Sequence, residues 1–156
     1  MKETSKYNIA KNKKERTCNG ITFDSAMEMR FYEEVVLSGL ETGFITKCEM
    51  QKKFELQPAF TYKNQKFTAI NYVADFVLTY IDGHTDIIDV KGYPDHVAPI
   101  KRKLLCYKNP DINFYWVTYS KIDGGWCSYE YLKKQRALRR KKRKKEKAEK
   151  EKKNGK

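Results

Sequence analysis

Three residues of this chain have the types and the spacing of a hydrolytic site. Asp75 stands inside the apolar run AINYVADFVLTYI, and Asp89 and Lys91 close the next one in IDVKG. A carboxylate among Val, Phe and Leu costs several kcal/mol, or is driven to a raised pKa, unless a cation or a metal faces it. Asp89 and Lys91 are two positions apart, so on a strand both side chains leave the same face while Ile88 and Val90 point to the other. Hard carboxylate oxygens hold Mg²⁺; a metal so held polarises a phosphate and acidifies a bound water, and a neighbouring lysine steadies the developing charge. Together these residues suit phosphodiester hydrolysis. The competing reading of Asp89 and Lys91 is a solvated pair at a strand end, contributing at most about 1 kcal/mol. It leaves Asp75 unexplained.

Whether the two carboxylates meet depends on the turn between the runs. A two-residue loop, Asp82-Gly83, opposes Asp75 to Val90 and sends the carboxylates to opposite faces. A three-residue loop, Asp82 to His84, opposes Asp75 to Lys91 and puts Asp75, Asp89 and Lys91 on one face. The hydrolytic reading therefore requires a loop of odd length.

Other elements must place this hairpin. Ser25 with Glu28 three residues later forms a capping box, and Met27, Phe31, Val35, Val36 and Leu40 make an apolar stripe at helical spacing that Gly43 ends. Glu28 is then either a helix cap or a third acidic group turned inward. FITKCEMQKKFELQP reads as a long, partly exposed strand broken near Gln51, and the run containing Asp75 as a strand covered on both faces. Pro99 begins a second helix that Asn109-Pro110 ends, INFYWVTY is a further strand, and a last helix starts near Ser128. The order helix, strand, strand, strand, helix, strand, basic helical tail predicts an α/β domain with a mixed sheet.

The chain has 156 residues and a net charge of +13, and that charge is concentrated at one end. Residues 133–156 hold 15 Lys or Arg against three Glu, whereas residues 1–132 are almost neutral. Three regions follow: a flexible basic arm (1–20), a folded domain (21–132) and a basic tail (133–156). Arg139, Arg140, Lys141, Lys142 and Arg143 in the tail, and Lys101, Arg102 and Lys103 on the second helix, are the candidate phosphate contacts, with solubilisation the plainer role. The four cysteines lack zinc-ligand spacing and read as free thiols. No apolar run reaches the roughly 18 residues that span a bilayer, which sets a cytoplasmic location, with no membrane partner, as the expectation.

Asp75, followed 14 positions later by Asp89-Val90-Lys91 within this order of elements, resembles the PD-(D/E)xK nuclease superfamily of restriction endonucleases and Holliday-junction resolvases. SAMEMRFYEEV, QKKFELQPAF, INYVADFVLTY, IDVKG and KRKLL are similar to a phage-encoded branch of it, over residues 22–118. The resemblance implies a restriction-endonuclease-like core and a Mg²⁺-dependent (or Mn²⁺-dependent) endonuclease acting on Holliday-junction or other branched DNA in a bacterial or phage-infected cytoplasm. It makes Asp75, Asp89 and the Val90 main-chain carbonyl metal ligands, Lys91 the catalytic lysine, Glu28 the helix-borne acid, and Gln51 a polar residue lining the site. Family habit and the need to cut two strands imply a homodimer. Ala74 stands where the motif's name has Pro, and Asp89 where Glu is commoner. The alternative function is a non-catalytic nucleic-acid-binding protein that relies on its basic tail.

Overall fold

The computed structural model describes residues 13–154. A 3₁₀ turn (Lys13–Arg16) leads into β1 (Thr17–Cys18) and β2 (Ile21–Thr22), then a helical segment made of α1 (Ala26–Phe31), a π-helical stretch (Tyr32–Leu37) and α2 (Ser38–Glu41). There follow β3 (Ile45–Gln57), β4 (Phe60–Tyr62), β5 (Gln65–Phe67), β6 (Ile70–Tyr80), β7 (Thr85–Val90), α3 (Ala98–Lys108), β8 (Asn113–Ser120), β9 (Gly125–Ser128) and α4 (Tyr129–Asn154). The result is a mixed α/β fold around a five-stranded sheet of order β3-β6-β7-β8-β9. Only β7 and β8 run parallel, and α3 is the crossover that a parallel pair needs.

Each sheet face is covered because each carries its own apolar set. Phe76, Leu78, Ile88 and Val90 pack with Phe31, Tyr32 and Val36 from the first helical segment, and with Phe23. Ala74, Val77, Ile87, Phe114 and Trp116 pack with Leu105 of α3 on the other side, and Tyr129 at the start of α4 joins them. The π-helical stretch alters the stripe that the sequence predicts. Phe31 and Val36, five residues apart, both turn to the core, whereas Leu40 is exposed.

The structure adds detail at both ends of the chain. Residues 13–20 are no loose arm: Asn19 and Gly20 take positive φ (48° and 78°) in the turn between β1 and β2, and Cys18 and Ile21 pack on the core. Residues 1–12 lie outside the described residues. The boundary drawn at residue 133 falls inside α4, a single helix anchored by Leu132, which is 1% exposed. The basic tail thus leaves the domain as a continuation of a packed helix. Among the described residues no helix is long and apolar enough to cross a membrane.

Candidate functional site

Four residues, Ile81 to His84, separate β6 from β7, but Tyr80 and His84 still bond to each other, so the turn they close has three residues, Ile81 to Gly83. Thr79 pairs with Thr85, Tyr80 N–H donates to His84 O (3.0 Å), and Gly83 takes the positive φ (87°) that lets so short a loop close. The Asp82 carboxylate accepts the His84 N–H (3.1 Å) and fixes the turn. The required odd length is present, shifted by one residue from its expected place. The pairing of β6 with β7 ends at Phe76↔Ile88, one pair short of Asp75, which meets β7 through the Val90 N–H instead. The charges of Asp89, Glu28 and Lys91 all act on Asp75, so the four groups lie near one another at this end of the sheet.

At Asp75 the strand departs from simple alternation. Tyr72 and Ala74 pack with Val77, while Phe76 and Leu78 pack on the opposite side, so the facing slips by one residue at Asp75 itself. Val73, expected as a buried neighbour of Asp75, is exposed for the same reason. Across the ladder, Gln51 lies between the pairs Met50↔Phe76 and Lys52↔Ala74 and takes φ 52°, a left-handed conformation costly for a residue with a Cβ. Two strands are therefore distorted together at the level of the carboxylate. The Asp75 side chain has replaced a ladder bond with its own: Oδ2 accepts the Val90 N–H at 2.7 Å.

Around this point the charged groups converge. Asp89 is 1% exposed, and Lys91 Nζ lies 2.9 Å from its Oδ2. Oδ2 is buried, with that ammonium against it. Lys91 is itself anchored by its N–H on Val117 O (2.8 Å), where β7 leaves the sheet. Burial raises the Asp75 pKa to about 8, helped by the charges of Asp89 and then Glu28. Burial opposes the Lys91 ammonium, but Asp89, Asp75 and Glu28 outweigh it and leave its pKa above the usual lysine value.

Glu28 has both of the roles that the sequence left open. Ser25 Oγ accepts the Glu28 N–H (3.1 Å) and donates to Glu28 Oε1 (2.8 Å), and the Asp24 N–H donates to Oε2 (3.3 Å). The cap is real, yet Glu28 is buried and its charge acts on Asp75. Burial pushes the Glu28 carboxyl up, against the Ser25 hydrogen bond. Ser25→Ala removes the cap and one partner of a buried carboxylate together, and is expected to cost about 1 kcal/mol in urea-induced unfolding.

Two cavities open on this cluster. One of about 260 Å³ is bordered by Asp24, Gln51 and Asp75 beside Phe23 and Phe76. The other, of about the same size, is bordered by Tyr72, Asp89, Lys91, Asp95 and Lys101 at the start of α3. Tyr72 went unnoticed as a site residue, since the sequence shows it only as one more aromatic in β6. The slip at Asp75 sets it on the cavity of Asp89, whose charge acts on its buried hydroxyl.

The candidate phosphate contacts divide into free and occupied cations. Lys101 borders the second cavity and Lys103 is exposed. Arg102 is engaged inside the protein: it pairs with Glu130 and lies over the Phe114 and Trp116 rings, 5.1 and 4.6 Å from their centres. Arg139 is engaged likewise, forking onto both Asp123 oxygens at 2.6 and 3.0 Å. Arg140, Lys141 and Arg143 remain available on α4, Lys142 makes an exposed 3.9 Å pair with Glu146, and Arg140 and Arg143 share a cationic face with Arg136, Lys144 and Lys147.

The donor chemistry suits a hard divalent cation: two carboxylates near enough for one charge to act on the other, Asp89 fully buried, beside the Val90 main chain. Among the described residues, however, no three His, Cys, Asp or Glu side chains form a ready-made metal cage. Lys91 occupies the cation's place on Asp89, so binding would require its ammonium to move aside. The class defined by fold and site is thus a mixed α/β domain with a buried carboxylate–lysine cluster at a distorted strand pair. A family model described as "Protein of unknown function (DUF1064)" matches residues 4–124, most of the chain, and the protein belongs to that family. No curated protein and no solved structure matches it.

Proposed function

We propose that this protein is a Mg²⁺-dependent DNA endonuclease with a restriction-endonuclease-like core, acting on Holliday-junction or other branched DNA. The observation that carries the reading is Asp89, buried at 1% exposure, paired with Lys91 at 2.9 Å and near enough to Asp75 for its charge to raise that carboxyl's pKa. An ordinary strand-end salt bridge is solvated and needs no second carboxylate behind it. Asp75, Asp89 and the Val90 carbonyl are the residues to hold the metal. Once bound, Mg²⁺ would polarise the phosphate and lower the pKa of a water. Lys91, charged throughout the neutral range, orients the attacking oxygen and neutralises charge on the phosphate. Glu28, pinned by Ser25 and Asp24, keeps negative potential on the site from the helix side. The cationic face of α4 favours a polyanion as substrate, and the preference for branched DNA and a two-fold partner rests on the resemblance stated above.

The test is incubation of the purified protein with a four-way junction and with linear duplex, in Mg²⁺ and in EDTA. Cleavage of the junction in Mg²⁺ alone is the expected result. Binding without cleavage under every metal condition would leave the tail-borne binding protein as the function. Removal of residues 141–156 takes away ten basic and three acidic residues while leaving Arg139 on Asp123. That truncation is expected to weaken DNA binding at least tenfold at low salt and to flatten the slope of log affinity against log salt, with junction cleavage persisting at raised protein concentration.

A further inference from the structure

The hairpin of β4 and β5 has an aromatic face and nothing to bury it against. It is inserted in the connection from β3 to β6, with Phe60 paired to Phe67 and Tyr62 to Gln65. Lys63 and Asn64 form its two-residue turn with φ of 45° and 64°. The period of two puts Phe60, Tyr62 and Phe67 on one side, where they are 45%, 57% and 38% exposed. The Phe60 and Phe67 rings are stacked, centres 4.9 Å apart and planes within 9°, so each turns one face to the other and leaves its outer face and edge for a further stacked group. A two-stranded ribbon is marginal in water by itself, and aromatic alternation of this kind ordinarily marks a covered face.

Charge and position narrow the occupant. No acidic residue occurs between Glu55 and Asp75, and the hairpin carries Lys63 at its turn and Lys66 on β5. β5 leads directly into β6, in which Asn71 and Tyr72 border the cavity of Asp89 and Lys91. Asp75 follows Ile70 by five residues, about 17 Å of strand. A strand of nucleic acid lying across that cavity therefore meets the hairpin within a few nucleotides. An apolar protein surface would use the rings and leave the lysines idle. Unpaired nucleotides use both, stacking bases on the rings and placing phosphates by the ammonium groups.

We propose that the β4–β5 hairpin is a stacking platform for unpaired bases next to the cleavage site, which would let the protein distinguish branched or single-stranded DNA from continuous duplex. This rests on the nuclease reading for the substrate's identity, but it is tested by binding alone. In EDTA, the full chain and the Phe60→Leu/Phe67→Leu variant are titrated into a fluorescent duplex with a single-stranded overhang, and into a fully paired duplex of equal length. A 2-aminopurine in the overhang reports stacking directly.

Leucine keeps apolar bulk but lacks the π face, so affinity for the overhang substrate is expected to fall on the order of tenfold, with the 2-aminopurine signal no longer quenched. Duplex affinity is expected to change less than about twofold, and Phe60→Tyr/Phe67→Tyr to retain overhang binding. A leucine variant that keeps the wild-type affinity for the overhang substrate, with quenching intact, would overturn the proposal. So would a leucine variant that turns a dimer into a monomer in analytical ultracentrifugation with DNA affinity unchanged, since the face would then belong to a second copy. If the leucine variant loses the preference while the wild type never cuts DNA in Mg²⁺, the platform stands and the nuclease reading falls.

Discussion

Asp89→Ala is expected to lower Mg²⁺-dependent cleavage of a four-way junction by roughly a thousandfold, the scale seen when a group that acts on developing charge is removed. DNA affinity in EDTA is expected to stay equal or to tighten, because the substitution deletes a negative charge and releases the Lys91 ammonium now held 2.9 Å from it. Loss of rate without loss of binding separates a site residue from a fold residue. The strand-end alternative predicts undiminished cleavage and at most about 1 kcal/mol of lost stability. Lys91→Ala provides the converse. It strands the buried Asp89 carboxylate and is expected to cost roughly 2–3 kcal/mol without metal, less than a fully buried pair would lose because the Lys91 side chain is 32% exposed. Added Mg²⁺ is expected to restore part of that stability while cleavage remains lost. Undiminished cleavage by both variants would sink the assignment of this cluster.

The charged centre was legible in the sequence because it broke a strong pattern. One Asp in the most apolar strand, and an Asp two residues from a Lys on the next, leave few arrangements that are energetically tolerable, and the turn had to have odd length. The position of that turn was not legible. Asp82-Gly83 reads as a two-residue loop, and only the Tyr80–His84 bond shows that Ile81 belongs to the loop. Nor was the slip at Asp75, since a period of two says nothing about where a strand will twist. Tyr72 was missed on that account. The β1–β2 turn is a different kind of omission: Asn19-Gly20 is a strong hairpin signal, overlooked because its strands are two residues each and amid lysines. Arg102 and Arg139 show the limit of counting charge. Composition cannot tell a cation facing solvent from one whose carboxylate, Glu130 or Asp123, arrives from another element.

Asp75→Asn is expected to change stability by an amount that depends on pH. In the folded, metal-free chain Asp75 has a pKa of about 8, against about 3.9 for an unfolded aspartate. Between those values the folded state holds a proton that the unfolded state has released, so stability falls as pH rises through that interval. The stabilising contribution is complete below about pH 4 and lost above about pH 8. Glu28, also raised, adds to the same slope. The lowered carboxylates, Asp123 on Arg139 among them, act in the opposite sense, but their contribution is lost only as pH falls below the usual carboxylate range. From about pH 5 to pH 8 the site therefore governs the slope. Asparagine keeps an oxygen for the Val90 N–H and removes the titration. It is expected to leave stability near the wild-type value at pH 5 and to raise it by about 2 kcal/mol at pH 8, a figure reduced from that of a dry site because water reaches this carboxylate. Thermal unfolding at the two pH values in EDTA measures the difference. Mg²⁺ at pH 8 is expected to stabilise the wild type and not the variant, since the ion binds the folded chain through the charge that asparagine lacks. A gain of equal size at both pH values would mean that Asp75 is not the protonated group. A chain that becomes more stable by losing one carboxylate, and loses cleavage with it, would be retaining that carboxylate for its chemistry.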